Sequence, residues 1–370
     1  MMRVLTVVGA RPQFIKAAVV SRAIPAFNAQ AGHRRQIQEV LTHTGQHYDD
    51  KMSAVFFEEL AIPAPAHHLG VGSGPHGQQT GRMLERLEQV LESERPDLVL
   101  VYGDTNSTLA GSLAASKLRI PVAHVEAGLR SYNRAMPEEI NRVITDKLSA
   151  LLFCPTDRAV KNLSCEGIVT GVHLVGDVMY DSLLYNLAKA DRRAGVLAEL
   201  GLQQGQYGLA TIHRAETTDR PETVTGILSA LGRLGLPIVV PLHPRTRVVL
   251  DAAGVGHVCG PVRLIAPVAY HEMLILERHA RLILTDSGGV QKEAFLLGVP
   301  CVTLRNETEW VETVELGWNH LAGTDPEAIV MAAHGALEEV RSERGAPYGA
   351  GHAADAILAI VADFCQKKRS

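Results

Sequence analysis

The chain is predicted to be an α/β protein made of two doubly wound domains that face one another across a ligand cleft. Three observations carry that prediction. Short apolar runs such as Leu98–Tyr102 and Pro121–Val125 alternate with helix-favouring segments, the pattern of parallel strands joined by crossover helices. Each run ends on polar or charged residues, and in open parallel sheets the loops after the strands share one edge, where ligands bind. The rhythm occurs twice, in halves of similar size, which places a ligand between them. The polar stretch Ala190–Gln206 has weak apolar patterning and is the expected junction. That puts the first domain at 1–189 and the second at 190–352.

Taken in order, Arg3–Val8 is the first strand, and Gly9-Ala10-Arg11-Pro12-Gln13 turns into a helix beginning near Pro12, since Pro suits the first helical position. This turn is not the G-x-G-x-x-G of a dinucleotide fold. It offers Arg11 and, further along the helix, Lys16. Cations there oppose the helix dipole but suit a visiting phosphate or carboxylate. The next strand, Ile37–Thr42, runs into His43-Thr44-Gly45-Gln46-His47. That H-x-x-x-H spacing sits in a loop and not on a helix, with no H-E-x-x-H pattern, so no metal is expected. Val71–Thr80 is a Gly-rich loop before a helix over Gly81–Leu91.

The stretch from Leu98 to Arg142 reads strand, loop, helix, strand, loop, helix, and its loops bring three carboxylates, Asp104, Glu126 and Glu138, to one sheet edge, with Arg130 and Arg134 between the last two. Crowded, buried carboxylates suit proton transfer. Taken singly, Asp104 could equally cap a helix and Glu138 could serve a helix dipole. A strand near Leu151–Cys154, a helix near Arg158–Glu166, a strand near His173–Val175 and a helix through Leu187 close the first half.

In the second half the strand Tyr207–Ile212 ends in His213 and Arg214, Pro237–Leu242 ends in His243-Pro244-Arg245, Arg281–Thr285 ends in Asp286-Ser287-Gly288-Gly289, and Pro300–Leu304 ends in Arg305. Gly288 and Gly289 allow close backbone approach at a helix start and Ser287 adds a hydroxyl, a ready anion site. Glu293, in the second turn of that helix, could accept bonds from a ribose diol.

Composition narrows the function. The 370 residues carry a net charge of −4, which argues against nucleic acid as partner because no basic stripe appears. Five dispersed cysteines without a C-x-x-C pair suit a reduced, cytoplasmic protein. The apolar run Val4–Ala10 is too short for a signal segment, and no run approaches the roughly 20 residues that span a bilayer, so no membrane partner is expected.

In order and spacing, GARPQFIK, TGQHYD, GDTNSTLAG, HVEAGLRS, MPEEINR, TIHRAE, PLHPRT and TDSGGVQKEA resemble the non-hydrolysing UDP-N-acetylglucosamine 2-epimerases across nearly the whole chain. The resemblance implies two Rossmann-like domains of the GT-B type, with a C-terminal helix, here Ala353–Phe364 in the segment 353–370, packing back on the first domain. It implies a cytoplasmic homodimer that needs neither cofactor nor metal and feeds polysaccharide biosynthesis. It implies that UDP is eliminated from a UDP-sugar to leave a glycal and is then re-added with C2 inverted. By the same resemblance Asp104, Glu126 and Glu138 are the acid and base carboxylates and His213 the histidine near the diphosphate. Arg11 and Lys16 are the first-loop cations; independently of the resemblance, Arg214, beside His213 on a neighbouring strand end, is placed to add charge to the pocket of the Ser287-Gly288-Gly289 turn. Ser287, Gly288 and Gly289 form the diphosphate loop, Glu293 binds ribose, and Val268 and Met273 line the uracil pocket.

The chain departs from the family's usual G-T-R-P-E at Ala10 and Gln13, and from its usual Arg-Pro at Trp310-Val311. Those features look closer to the branch acting on UDP-2,3-diacetamido-2,3-dideoxyglucuronate, which stands as the alternative substrate to UDP-N-acetylglucosamine. Gln46 and His47 match part of a loop used for allosteric activation in bacterial members, but the residues after them do not match. A GT-B glycosyltransferase would instead require an acceptor for UDP release, and a sugar-nucleotide sensor would bind without turnover.

Overall fold

The structure, a computed structural model, describes residues 1–46, 62–191, 195–242, 246–247, 250, 260–339 and 343–369. It divides into two compact units, Met1–Ser182 with Ala346–Ser370, and Leu183–Gly345. The division falls inside the helix Val178–Ala190 instead of in the polar stretch after it. The helix serves both cores: Val178 is buried in the first, whereas Ala190 is buried in the second.

The first unit is a seven-stranded parallel sheet of β1 (Met2–Val8), β2 (Ile37–His43), β3 (His67–His68), β4 (Leu98–Tyr102), β5 (Val122–Val125), β6 (Leu151–Cys154) and β7 (Val172–Leu174), in the order β3-β2-β1-β4-β5-β6-β7. Of these strands, β4 and β6 read as unbroken apolar runs because both faces are covered. On β1, Val4 and Val8 point to a core shared with Phe14, Ala17 and Val20 of the helix Arg11–Gln30 and with Ile357 and Val361 of the helix Ala353–Arg369. Leu5 and Val7 point the other way, onto Met83 and Leu87 of His76–Glu94 and Ala110 and Ala114 of Asn106–Lys117. The C-terminal helix thus packs on the first unit.

The second unit is a six-stranded parallel sheet of β8 (Gly208–Thr211), β9 (Ile238–Pro241), β10 (Val262–Ile265), β11 (Leu282–Thr285), β12 (Cys301–Thr303) and β13 (Asn319–Leu321), in the order β10-β9-β8-β11-β12-β13. In both sheets the order reverses beside the first strand, between β1 and β4 and between β8 and β11. The carboxyl ends at such a reversal form the crevice in which doubly wound sheets take ligands.

The α/β class with two doubly wound sheets is therefore as expected, with local differences. The helix His76–Glu94 takes in half of the predicted Gly-rich loop, because Gln79 reaches back to the Gly72 and Gln46 carbonyls at 2.8 and 3.2 Å and ties its first turn down. Strands β3, β10 and β13 were not predicted; β3 and β13 are only two and three residues long.

Candidate active site

At the β1–β4 reversal the backbone is shaped by glycines. A Cβ on Gly9 would lie 2.0 Å from Ser107 Oγ and 2.2 Å from Thr44 Oγ1, so only glycine lets β1 pass these side chains. Gly103 ends β4 with φ +62°, and a Cβ there would crowd the Lys16 ammonium at 3.2 Å and a Glu126 oxygen at 3.4 Å. Gln13 spans the gap: its carbonyl oxygen accepts from the Gly9 and Ala10 N–H groups at 2.8 and 3.1 Å, and its Nε2 donates to the Tyr102 carbonyl and Thr108 Oγ1 at 2.9 Å each. The departure at Gln13 is thus a buried strut between β1 and β4.

The candidate residues of this edge pair closely. Lys16 is in direct contact with Glu126, which is 8% exposed and held at φ +70°, a strained position for a non-glycine residue. Burial by itself lowers the Lys16 pKa, but Glu126 and then Asp104 outweigh it, so the ammonium titrates above its ordinary value. Asp104 is not the helix cap that its position allowed. Thr105 caps Asn106–Lys117, and Asp104 Oδ2 instead accepts from Arg142 Nη2 and Nε at 2.6 and 3.0 Å. Arg142 also donates to Glu139 at 2.8 Å, and Glu139 accepts from the Ser131 N–H, the Ser131 hydroxyl and the Tyr132 N–H. Burial pushes Glu139 up, but these donors outweigh it and hold its pKa below the usual range. Glu138 lies half-buried in the first turn of Pro137–Leu148, the helix that supplies Arg142, and has no side-chain hydrogen bond among the described residues. Arg11 is exposed in the first turn of its helix and Arg134 is exposed in its loop.

Behind this edge lies a buried relay that sequence reasoning missed. His124, on β5, is fully buried between Asp146 Oδ1 at 2.7 Å and the Gly103 carbonyl at 2.8 Å. Asp146 Oδ2 accepts from the Gly128 N–H at 3.1 Å and pairs with Arg130 at 2.7 Å. Arg130 also grips Glu166 through Nε and Nη2 at 2.6 and 2.8 Å. Arg130 is therefore a strut of the loop. A histidine inside the apolar VAHV run was the available signal.

At the β8–β11 reversal, Asp286 is fully buried and accepts from the His213 and Arg214 backbone N–H groups at 2.9 Å each, while His213 Nδ1 lies 3.2 Å from Asp286 Oδ1. Burial raises the Asp286 pKa, but the His213 and Arg214 contacts outweigh it and the carboxyl stays below its usual range. The second nitrogen of His213 is thus on a ring anchored from behind, with the side chain 41% exposed. Ser287 caps the helix Gly288–Leu297. Glu293 accepts from the Tyr270 hydroxyl at 2.9 Å, and burial pushes its pKa upward. Val268 and Met273 line a cavity of about 230 Å³ together with Thr211, His213, Leu242 and Pro267. Such a space beside an anchored histidine and a glycine turn suits a flat base next to phosphate.

His43 is buried, accepts from the Gly45 N–H at 2.6 Å and stacks against Phe14 and His68; His47 lies outside the described residues, as do His243, Pro244 and Arg245. Among the described residues no cluster of three His, Cys, Asp or Glu groups could hold a metal ion.

Two doubly wound sheets, one carrying ion-paired carboxylates and the other a glycine turn at its reversal, define an α/β protein of the kind that takes ligands at these sheet edges. The sequence model of the UDP-N-acetylglucosamine 2-epimerase family matches residues 30–362. A UDP-N-acetylglucosamine 2-epimerase homolog of Methanococcus maripaludis is 54% identical over 89% of this chain and 91% of its own. The UDP-2,3-diacetamido-2,3-dideoxy-D-glucuronate 2-epimerase of Pseudomonas aeruginosa is 49% identical over 98% of this chain and 99% of its own. The crystal structure of Methanocaldococcus jannaschii UDP-GlcNAc 2-epimerase in complex with UDP-GlcNAc and UDP superposes with a TM-score of 0.79 at 43% identity, covering 97% of this chain and 99% of that one. The chain belongs to the UDP-N-acetylglucosamine 2-epimerase family and is an isomerase.

Proposed function

We propose that this enzyme interconverts UDP-N-acetylglucosamine and its C2 epimer. A base removes the C2 proton, its electron pair becomes the C1=C2 double bond, and the C1–O bond breaks as UDP leaves. The proton then returns to the other face of C2 and UDP adds back at C1. The C2 proton is weakly acidic, so stabilising the departing diphosphate matters as much as the base.

The roles follow from the chemistry of each sheet edge. Asp104, Glu126 and Glu138 exchange protons with the sugar, with Arg142 and Lys16 positioning the first two; Arg11 adds charge for the diphosphate. His213 and Arg214 face the diphosphate, Ser287, Gly288 and Gly289 cradle it, Glu293 holds the ribose, and Val268 and Met273 enclose the uracil. The observation that carries this reading is the pairing of Asp104 with Arg142 and of Glu126 with Lys16 on one sheet edge. Glu126 is buried and Lys16, Asp104 and Arg142 are half-buried, and ionisable groups paired away from solvent concentrate at functional sites.

The Pseudomonas aeruginosa relative supports a second substrate, the diacetamido uronate, for the same chemistry. Proton NMR in D₂O with each sugar nucleotide tests both. Loss of the C2 proton signal with appearance of the manno product from UDP-N-acetylglucosamine is the expected result. The same change from the uronate alone moves the substrate and keeps the mechanism, and silence with both sinks the epimerase reading. We further read the enzyme as a cytoplasmic homodimer serving polysaccharide synthesis; no helix among the described residues is long and apolar enough to cross a membrane. Sedimentation at several concentrations tests the dimer.

A further inference from the structure

The turn that opens the helix Gly288–Leu297 is weakly tied by its own cap, since Ser287 Oγ stands 3.5 Å from the Val290 N–H. A stronger tie comes from outside the helix. The Trp310 indole N–H donates to the Gly288 carbonyl at 2.7 Å. One face of the same ring carries the Lys292 ammonium, 3.9 Å from its centroid, and Lys292 is only 4% exposed. A cation on a tryptophan face is held in a fixed place, and the hold strengthens as water is excluded. The indole therefore joins the backbone of the glycine turn to a buried positive charge one turn further along the helix.

The main chain of Trp310 is itself held from both sides. The Thr308 hydroxyl donates to Gln291 Oε1 at 2.6 Å and accepts from the Trp310 backbone N–H at 3.1 Å, and the Thr313 hydroxyl donates to the Trp310 carbonyl at 2.7 Å. Around Gly288 a Cβ would meet Glu309 Oε2 at 3.1 Å, Trp310 Nε1 at 3.7 Å and Arg214 Nη2 at 3.9 Å, so the indole and the Arg214 guanidinium border the same turn. Yet Trp310 is only half-buried, unlike a residue used to fill a core.

We propose that Trp310 is a positioning residue that holds the Gly288 turn and the Lys292 charge in the arrangement that receives the diphosphate, and that its indole reports occupancy of that turn. The inference rests on the assignment of Ser287–Gly289 to the diphosphate. Tryptophan is the rarest signal to misread here, because the chain has only two, Trp310 and Trp318.

The test uses the full-length protein, UDP as ligand, intrinsic fluorescence and titration calorimetry. In the Trp318→Phe variant, which leaves Trp310 as the sole indole, UDP should change the emission with the dissociation constant that calorimetry gives. In Trp310→Phe, which keeps a ring and removes the N–H, UDP binding should weaken about tenfold, the scale of one lost hydrogen bond. KM should rise by a similar factor with a smaller change in kcat, and the melting temperature without UDP should barely move, which a merely structural role would not produce. Unchanged emission in Trp318→Phe under calorimetric saturation overturns the proposal even if Trp310→Phe fails to fold. An unchanged UDP dissociation constant in Trp310→Phe overturns it too, while leaving the epimerase reading standing. Wild-type protein that binds no UDP overturns both.

Discussion

Arg142 serves two carboxylates at once, donating through Nε and Nη2 to Asp104 and through Nη1 to Glu139. A lysine is a point charge on a flexible stem and cannot reproduce that fork. Arg142→Lys should therefore behave like a loss-of-function variant in spite of its conserved charge. Asp104→Asn should lose the activity assigned to a general acid or base, about 10²–10⁴-fold. Initial rates of C2 deuterium exchange measure both, and a near wild-type rate in Arg142→Lys would mean that Asp104 does not depend on the fork. Glu277 raises a different question. It is fully buried on the helix Tyr270–His279, and neither carboxyl oxygen finds a hydrogen-bond partner among the described residues. Burial, and then the nearby Glu293, push its pKa well above the ordinary 4.5. The folded protein thus binds this proton more tightly than the unfolded chain does. The stability it contributes is complete below pH 4.5 and is lost as pH rises toward the folded pKa. Glu277→Gln removes that loss, so its stability relative to wild type should grow as pH rises above 4.5 in urea denaturation. A difference that stays constant over that range would refute the account.

The elements differ in how far their residues announced them. Strands such as Leu98–Tyr102 and Leu282–Thr285 were legible because burial on both faces makes them continuous apolar runs. The polar residues at their ends were legible for the same reason, since Asp104, His213 and Ser287 stand where an apolar run stops. What each side chain then bonds to was not. Asp104 could have capped its helix, and nothing local reveals that Thr105 does so while Asp104 turns to Arg142, 38 residues later. His124 and Asp146 are likewise 22 residues apart, joined only once β5 and the helix Pro137–Leu148 pack together. The start of His76–Glu94 was hidden because Gly77 and Gly81 weaken local helix preference, and the ties that restore it come from the distant Gln79 contacts. The Asp146 relay has an energetic consequence at this scale. Asp146→Ala would leave Arg130, His124 and the Gly128 N–H facing an empty acceptor in a fully buried site, costing about 3–5 kcal/mol, the range for breaking a buried pair by removing one partner. Urea denaturation measures it; a loss below about 1 kcal/mol would show that Glu166 and water replace Asp146.

At the scale of the whole molecule, the assigned chemistry is divided along the chain. The carboxylates Asp104, Glu126 and Glu138 belong to the unit Met1–Ser182 with Ala346–Ser370, whereas His213, Ser287, Glu293, Val268 and Met273 belong to Leu183–Gly345. Each unit has its own sheet and its own apolar core, so nucleotide binding and proton transfer should be separable by mutation. Linkage makes the separation measurable. A ligand that binds only folded protein stabilises it by about 2.7 kcal/mol at a hundredfold excess over its dissociation constant. UDP should therefore raise the melting temperature of wild type and of Asp104→Asn by the same amount, although the latter no longer exchanges the C2 proton. Glu293→Ala should lose part of that rise if Glu293 holds the ribose as proposed, because the carboxylate edge is untouched. If the UDP-dependent rise vanished in Asp104→Asn instead, the nucleotide would be held by the carboxylate edge. The division of labour between the two sheets, and with it the role given to the Gly288 turn, would then have to be reversed.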